Sequence, residues 1–230
     1  MARAGVTRFL LEHATSAALG VCVAHAIAHV SPARAQSETT MITLDKTHVG
    51  SLPPEFDSWH TGQGGPAQWM VVADATADGG LAIEQISTDR TDYRFPLAIY
   101  KPVSARNVEV TVRFKPVTGA VDRAGGIAVR LTDPDNYYVV RANALEDNVR
   151  FYRVVKGRRE QLAGADLKVA ANEWHTLGLR AEGERFTISY DGKTLYSISD
   201  ATFADAGKIA LWTKADSVTR FDWITITPLP

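Results

Sequence analysis

The stretch Ala124–Val155, AGGIAVRLTDPDNYYVVRANALEDNVRFYRVV, constrains this chain more than any other. It reads as three strands joined by two tight turns, Asp133-Pro134-Asp135-Asn136 and Glu146-Asp147-Asn148. Proline sets the backbone for a turn, and Asp and Asn bond their own backbone within one. Side chains alternate across a strand. Ile127, Val129 and Leu131 therefore take one face and Arg130 the other. On the next strand Tyr138, Val140 and Ala142 point inward, leaving Tyr137, Arg141 and Asn143 outward. On the third, Val149, Phe151 and Val155 go inward, with Arg150 and Tyr152 outward.

The same rhythm recurs along the chain. Val108, Val110, Val112 and Phe114 alternate with Glu109, Thr111, Arg113 and Lys115, the pattern of an antiparallel strand with one wet face. Trp69–Val72 and Leu81–Ile86 flank a polar turn. Phe186, Ile188 and Tyr190 repeat the alternation, and Asp191-Gly192 makes a hairpin into Leu195, Ser197 and Ser199. Lys208–Thr213 and Arg220–Thr227 close the chain, the former with Ile209 and Leu211 inward and Trp212 and Lys214 outward. No stretch longer than a turn or two has apolar residues at helical spacing. About a dozen short strands spaced by ~8–12 residues predict an all-β, two-sheet antiparallel jelly-roll sandwich.

The first residues have another character. Arg3 and Arg8 precede an apolar run from Ala14 to Val30, and Ala33-Arg34-Ala35 supplies an A-x-A site. This predicts a cleavable signal peptide over 1–35 and one domain over 36–230. It implies a periplasmic or secreted location and no membrane attachment after cleavage. Cys22, the only cysteine, lies inside the apolar run, so the mature chain has no disulfide or thiol chemistry. Removing Arg3, Arg8, Arg34 and Glu12 leaves 22 basic and 25 acidic residues, a net charge of −3. No basic stripe faces phosphates, and no nucleic-acid partner is expected. From Gln36 to about Gly65 the breakers Ser51-Leu52-Pro53-Pro54 and Gly62-Gln63-Gly64-Gly65-Pro66 preclude a long regular element. Met41–Leu44 could form a short first strand. Phe56 and Trp59 read as anchors pinning this arm to the core.

Four segments in order carry a resemblance. They are Trp174-His175-Thr176-Leu177, Arg185 through Lys193 (RFTISYDGK), Gly207 through Thr213 (GKIALWT), and Phe221-Asp222-Trp223. Together they resemble the C-terminal half of concanavalin A-like lectin/glucanase sandwiches. Within these they are most similar to laminin-G-like domains and bacterial 3-keto-disaccharide hydrolase domains. The resemblance implies a two-sheet jelly roll and a carbohydrate-related role, in a superfamily that also holds plain protein-binding modules.

Catalytic motifs are scarce. Glycoside hydrolysis uses two carboxylates at a set separation, and the E-x-D-x-x-E pattern of glucanases does not occur. Glu109 stands alone on its strand; Asp133 with Asp135 and Glu146 with Asp147 lie in turns. His48, His60 and His175 have no zinc spacing, and no G-x-S-x-G appears. Asp133, Asp135 and Asn136 offer oxygen ligands for calcium, against the plainer reading of a proline turn with Asx hydrogen bonds. No catalytic residue is assigned.

What remains is a sheet face. Arg130, Tyr137, Arg141, Asn143, Arg150, Tyr152, Trp212 and Lys214 share one strand face if the strands are neighbours. Planar donors fix sugar hydroxyl or carboxylate oxygens, and aromatic faces cover the apolar side of a sugar ring. Against this stands a solvated face of cross-strand pairs. The expectation is a glycan or oligosaccharide ligand on a concave sheet face. The alternatives are a 3-keto-glycoside hydrolase, whose elimination needs a base beside an acidified C2–H, and a laminin-G-like module with a protein partner.

Overall fold

A computed structural model describes residues 1, 2, 5 and 38–230. The leader, Cys22 and the A-x-A site lie outside the described residues. Fifteen strands run in chain order: β1 (Thr40–Ile42), β2 (Phe56–Gly62), β3 (Trp69–Ala73), β4 (Leu81–Gln85), β5 (Arg94–Ala105), β6 (Val108–Thr118), β7 (Ala124–Asp133), β8 (Asn136–Asn143), β9 (Asn148–Val155), β10 (Arg158–Asp166), β11 (His175–Glu182), β12 (Arg185–Tyr190), β13 (Lys193–Ser199), β14 (Gly207–Thr213) and β15 (Val218–Pro228). They form two antiparallel sheets. One has the order β13-β12-β11-β6-β15-β4-β3, with β1 also pairing β15; the other is β10-β9-β8-β7-β14-β5-β2. The all-β sandwich expected from the alternation is what forms.

Between the sheets lies the larger core, including Val110, Val112, Phe114, Ile127, Val140, Phe151, Leu177, Phe186, Leu211 and Ile226. The inward residues predicted on β6, β8, β12 and β14 are there. Outward residues of the eight-stranded sheet are mostly polar or charged, among them Glu109, Thr111, Arg113, Arg180 and Thr187, as the wet-face pattern of β6 required. The seven-stranded sheet departs from that pattern. Its outer face carries a second apolar cluster, with Phe95, Leu97, Ala128, Val139, Val154 and Trp212 fully buried.

Curvature accounts for that burial. Thr61 on β2 and Tyr137 on β8 are separated by four strand steps, about 19 Å in a flat sheet. Yet their hydroxyls lie 2.8 Å apart. Tyr93, just before β5, donates its hydroxyl to the Gly157 carbonyl (2.9 Å) and accepts the Arg159 amide (2.8 Å) in the β9–β10 hairpin. Such contacts between distant strands, made by side chains on the outer face, require that face to be concave. The sheet twists into a trough whose diagonal corners meet over its own apolar floor.

Three elements escaped the sequence reading: β2, β5 and β10. β2 lies in the arm where no long regular element was expected. Its sequence FDSWHTG hardly alternates, because it is an edge strand held by β5 alone. β5 contains Pro96 and Pro102, which argue against a central strand. The β14 ladder reaches only Leu97, so Pro96 sits where no β14 residue is paired to it.

Arg130 is the clearest correction to the predicted face. It adopts φ 51°, and the β7–β8 register shifts between Val129 and Asp133. A bulge adds a residue and exchanges the faces beyond it. Leu131 therefore joins the trough cluster, while Arg130 turns toward the sandwich interior. Its guanidinium bonds the carbonyls of Arg106 (2.9 Å), Phe203 (2.8 Å) and Gly183, and lies 5.0 Å from the Phe186 ring centre. Gly207 makes room, since a Cβ there would sit 2.4 Å from the Arg130 carbonyl carbon. Arg130 is thus a structural cation tying three loops together. Replacing it by alanine strands three carbonyls and should cost about 2–4 kcal/mol in urea unfolding. A change below about 0.5 kcal/mol would contradict this role.

Candidate functional site

The registers place one transverse row across the whole trough: Trp59, Leu97, Trp212, Gly126, Arg141, Arg150 and Gly164. The next row toward one rim contains Ala124, Asn143, Asn148 and Asp166. At that rim the loops bring in Asp122, Glu146 and Asp92, and Lys214 leaves the end of β14. Tyr137, Arg141, Asn143, Arg150, Tyr152, Trp212 and Lys214 thus occur on or at the rim of one concave face. Arg130 does not.

Arg141 is the centre of the polar end. It is 3% exposed. It donates Nη1 to Asn148 Oδ1 (2.5 Å) and Nη2 to Glu146 Oε2 (2.7 Å) and the Tyr152 hydroxyl (3.0 Å). Its Nε is buried with no partner among the described residues. Asn143 stands behind this group. Its amide donates to Asp122 Oδ1 (2.8 Å), and its carbonyl oxygen accepts the Leu145 amide (2.8 Å), which shapes the turn carrying Glu146. Asp122 also pairs with Lys214 (2.9 Å), and Lys214 reaches Asp92 at 2.6 Å. The loop carrying Asp122 is fixed in turn by Asp216, whose carboxylate accepts the amides of Ala120, Val121 and Asp122.

The two inner carboxylates differ. Asp122 is 1% exposed, and its desolvation raises its pKa despite Lys214 and Arg141. Glu146 is also penalised by burial, but the charge and hydrogen bonds of Arg141 outweigh this and hold it below the usual range. Its side chain is 48% exposed. Asp122 is therefore a bracket, with both oxygens engaged, and Glu146 is the carboxylate that solvent or a ligand can reach.

The floor beside this end is aromatic. Phe95 and Trp212 stack at 5.4 Å, Trp212 Nε1 donates to the Tyr137 hydroxyl (3.3 Å), and burial pushes the Tyr137 pKa up to about 12. Over the floor lies Arg159, 4.5 Å from the Tyr152 ring centre, 4.8 Å from Phe95 and 5.8 Å from Trp212. Arg150 folds across Gly164 and pairs with Asp166 at 2.5 Å. Trp59, expected as an anchor, is instead 54% exposed on the edge strand of this same face.

Sequence reasoning missed Asp122, Asn148 and Arg159 as members of the face and treated Glu146 as a turn residue. Asp122 is in a loop, with no periodic signal. Arg159 was legible in principle, because a two-residue turn at Lys156-Gly157 pairs it with Val154, a trough residue. The loop offered for calcium uses its own oxygens: Asp133 accepts the Asp135 amide (2.8 Å) and the Asn136 side-chain amide (2.9 Å).

A second polar cluster occupies the outer face of the eight-stranded sheet. Arg113 and Lys115 lie 4.8 and 4.6 Å from the Trp174 ring centre. Asp74 binds Lys115, Thr76 and Arg220, and Arg113 binds Asp222 and Asp78. These charges answer one another, which marks a structural network.

The sequence matches no protein-family model, and no curated protein resembles it in sequence. Solved structures share its fold. The carbohydrate binding module CBM66 from Bacillus subtilis matches with a TM-score of 0.56 at 20% identity, over 68% of this chain and 88% of that one. Lectin II from Ulex europaeus matches with a TM-score of 0.58 at 8% identity, over 84% and 100%. A Bacillus subtilis protein of unknown function with a galectin-like fold matches at 0.53 and 11% identity, over 75% and 89%. The chain has the concanavalin A-like sandwich fold, which it shares with these structures.

The outer-face network generates a pH dependence. Burial disfavours ionised Asp74, but Lys115, Thr76 and Arg220 outweigh it and hold the carboxyl far below its ordinary value of 3.8. A carboxylate depressed in the folded state stabilises above the unfolded pKa, and that stability is lost as pH falls toward the folded one. Urea midpoints should therefore drop between pH 6 and pH 3 by more in the wild type than in Asp74→Asn. Equal drops would contradict the assignment.

Proposed function

We propose that this protein is an exported carbohydrate-binding domain whose glycan lies at the polar end of the trough. The observation that carries this reading is the Arg141 cluster. A buried guanidinium is locked between Asn148, Glu146 and Tyr152, with Asn143, Asp122 and Lys214 behind it. Sugar hydroxyls both donate and accept, so recognition needs acceptors and planar donors held side by side. Glu146 supplies a reachable acceptor, Arg150 and Lys214 supply donors, and Tyr152 supplies a ring. Because these side chains are already fixed by one another, a ligand loses little of its affinity to ordering them. The fold, shared with a carbohydrate binding module and a lectin, supports the reading. The apolar leader and the cysteine-free remainder support export.

The fork of Arg141 is the feature to test. Arg141→Lys keeps the charge but cannot serve Asn148, Glu146 and Tyr152 together. It should weaken glycan binding at least tenfold in calorimetry on the folded variant, and lower the thermal midpoint by several degrees because buried partners are left unpaired. Unchanged affinity would place the glycan elsewhere.

Hydrolysis of 3-keto glycosides is the rival. It requires a base beside the acidified C2–H, and Glu146, next to Arg141, is a carboxylate of this end with a reachable side chain. That reading predicts sugar release from a 3-keto disaccharide that Glu146→Gln abolishes. The binding reading predicts no release by either protein.

A further inference from the structure

The charged groups at the polar end of the trough are ion-paired, and Arg159 over its floor is not. Arg141 meets Glu146, Arg150 meets Asp166, and Lys214 meets Asp122 and Asp92. Arg159 has no ion pair and no side-chain hydrogen bond among the described residues, and its Nη1 is buried without a partner. The residue is half-buried. Its guanidinium lies against the rings of Tyr152, Phe95 and Trp212, and its backbone is fastened by the Tyr93 hydroxyl. Ring faces attract a cation, but they accept none of its N–H groups in the manner of an oxygen.

A second free donor lies nearby. Arg141, with 4% of its side chain exposed, leaves Nε unpartnered, and its guanidinium carbon is 5.7 Å from the same Tyr152 ring. Two guanidinium groups, each with an unanswered N–H, thus flank one tyrosine. Guanidinium only donates and stays charged, so its complement is an acceptor carrying negative charge, and a planar or multi-oxygen anion suits it best. The hydroxyls of a neutral sugar would leave the Arg159 charge uncompensated in a partly desolvated place.

We propose that the trough recognises an acidic sugar residue, carboxylated or sulfated, with the anionic group taken by Arg159 beside Tyr152 and Arg141. This rests on the glycan reading above and adds the ligand class. The remaining hydroxyls of that residue then fall to Glu146, Arg150 and Lys214 toward the rim. Pairing the anion with Arg159 makes the affinity depend on salt, whereas a neutral glycan would bind with little salt dependence.

The test uses the full chain against a panel of uronate-bearing oligosaccharides, their methyl esters, sulfated galactans and neutral glucans, xylans and galactans, followed by calorimetry of the hits at two salt concentrations. The expected result is at least tenfold tighter binding of an acidic oligosaccharide than of its uncharged counterpart. Arg159→Gln should remove that preference in a variant whose near-ultraviolet circular dichroism shows the trough folded, and Arg159→Lys should restore part of it. Uronate hits lost on esterification identify a carboxylate, and hits confined to sulfated galactans identify a sulfate ester; either supports the inference. Equal affinity for acidic and neutral glycans, or an acidic preference unaffected by Arg159→Gln, would overturn it while leaving the glycan reading intact. No binding to any member of the panel would overturn both.

Discussion

The curl of the seven-stranded sheet is fastened at the Tyr137 hydroxyl, and most of the molecule's distinctive chemistry follows from that contact. One oxygen joins Thr61 on the edge strand to Trp212 in the middle of the sheet. Burial makes the phenol a poor acid, so the contact stays neutral through the physiological range. With the Tyr93 clasp to the β9–β10 hairpin it bends the sheet far enough to bury an aromatic floor on what would otherwise be an exposed face. A sandwich ordinarily has one core between its sheets. Here the trough adds another, and the polar groups that could meet a ligand are left to its end.

That end is built from fixed pieces. Asp216 gathers three successive amides to hold the loop of Asp122. Asp122 orients Asn143, Asn143 shapes the turn, and the turn presents Glu146 to Arg141. Each link is a buried polar group that would be costly unpaired, so the cluster specifies its own geometry. The same logic distinguishes the two faces of the molecule. In the network around Trp174 on the eight-stranded sheet the charges satisfy one another. In the trough a guanidinium is left over.

How much of this was legible in the sequence depended on whether strands obeyed their period. β6 and β12 alternate cleanly, and their inward residues are where alternation puts them. The fold class followed from such strands and from the hairpin turns. Arg130 failed because a single bulge, visible only in the register, exchanges two faces. β2 and β5 failed because an edge strand needs little alternation and because prolines mislead where a ladder happens to end. The site was half legible. Arg141, Asn143, Tyr152 and Trp212 could be placed on one face by parity alone. Asp122 and Glu146 could not, because loop closure, which no local pattern records, brings them there, whereas Arg159 could have been placed from the Lys156-Gly157 turn that pairs it with Val154.

The central claim is that the polar end of the trough, and no other surface, takes the glycan. Backbone chemical-shift mapping during titration with an acidic oligosaccharide from the panel tests it most directly. The account predicts that the largest shifts fall on Arg141–Arg150, Tyr152, Arg159 and Lys214. Shifts concentrated instead around Trp174, Trp223 and the Asp74–Gly80 loop would contradict it.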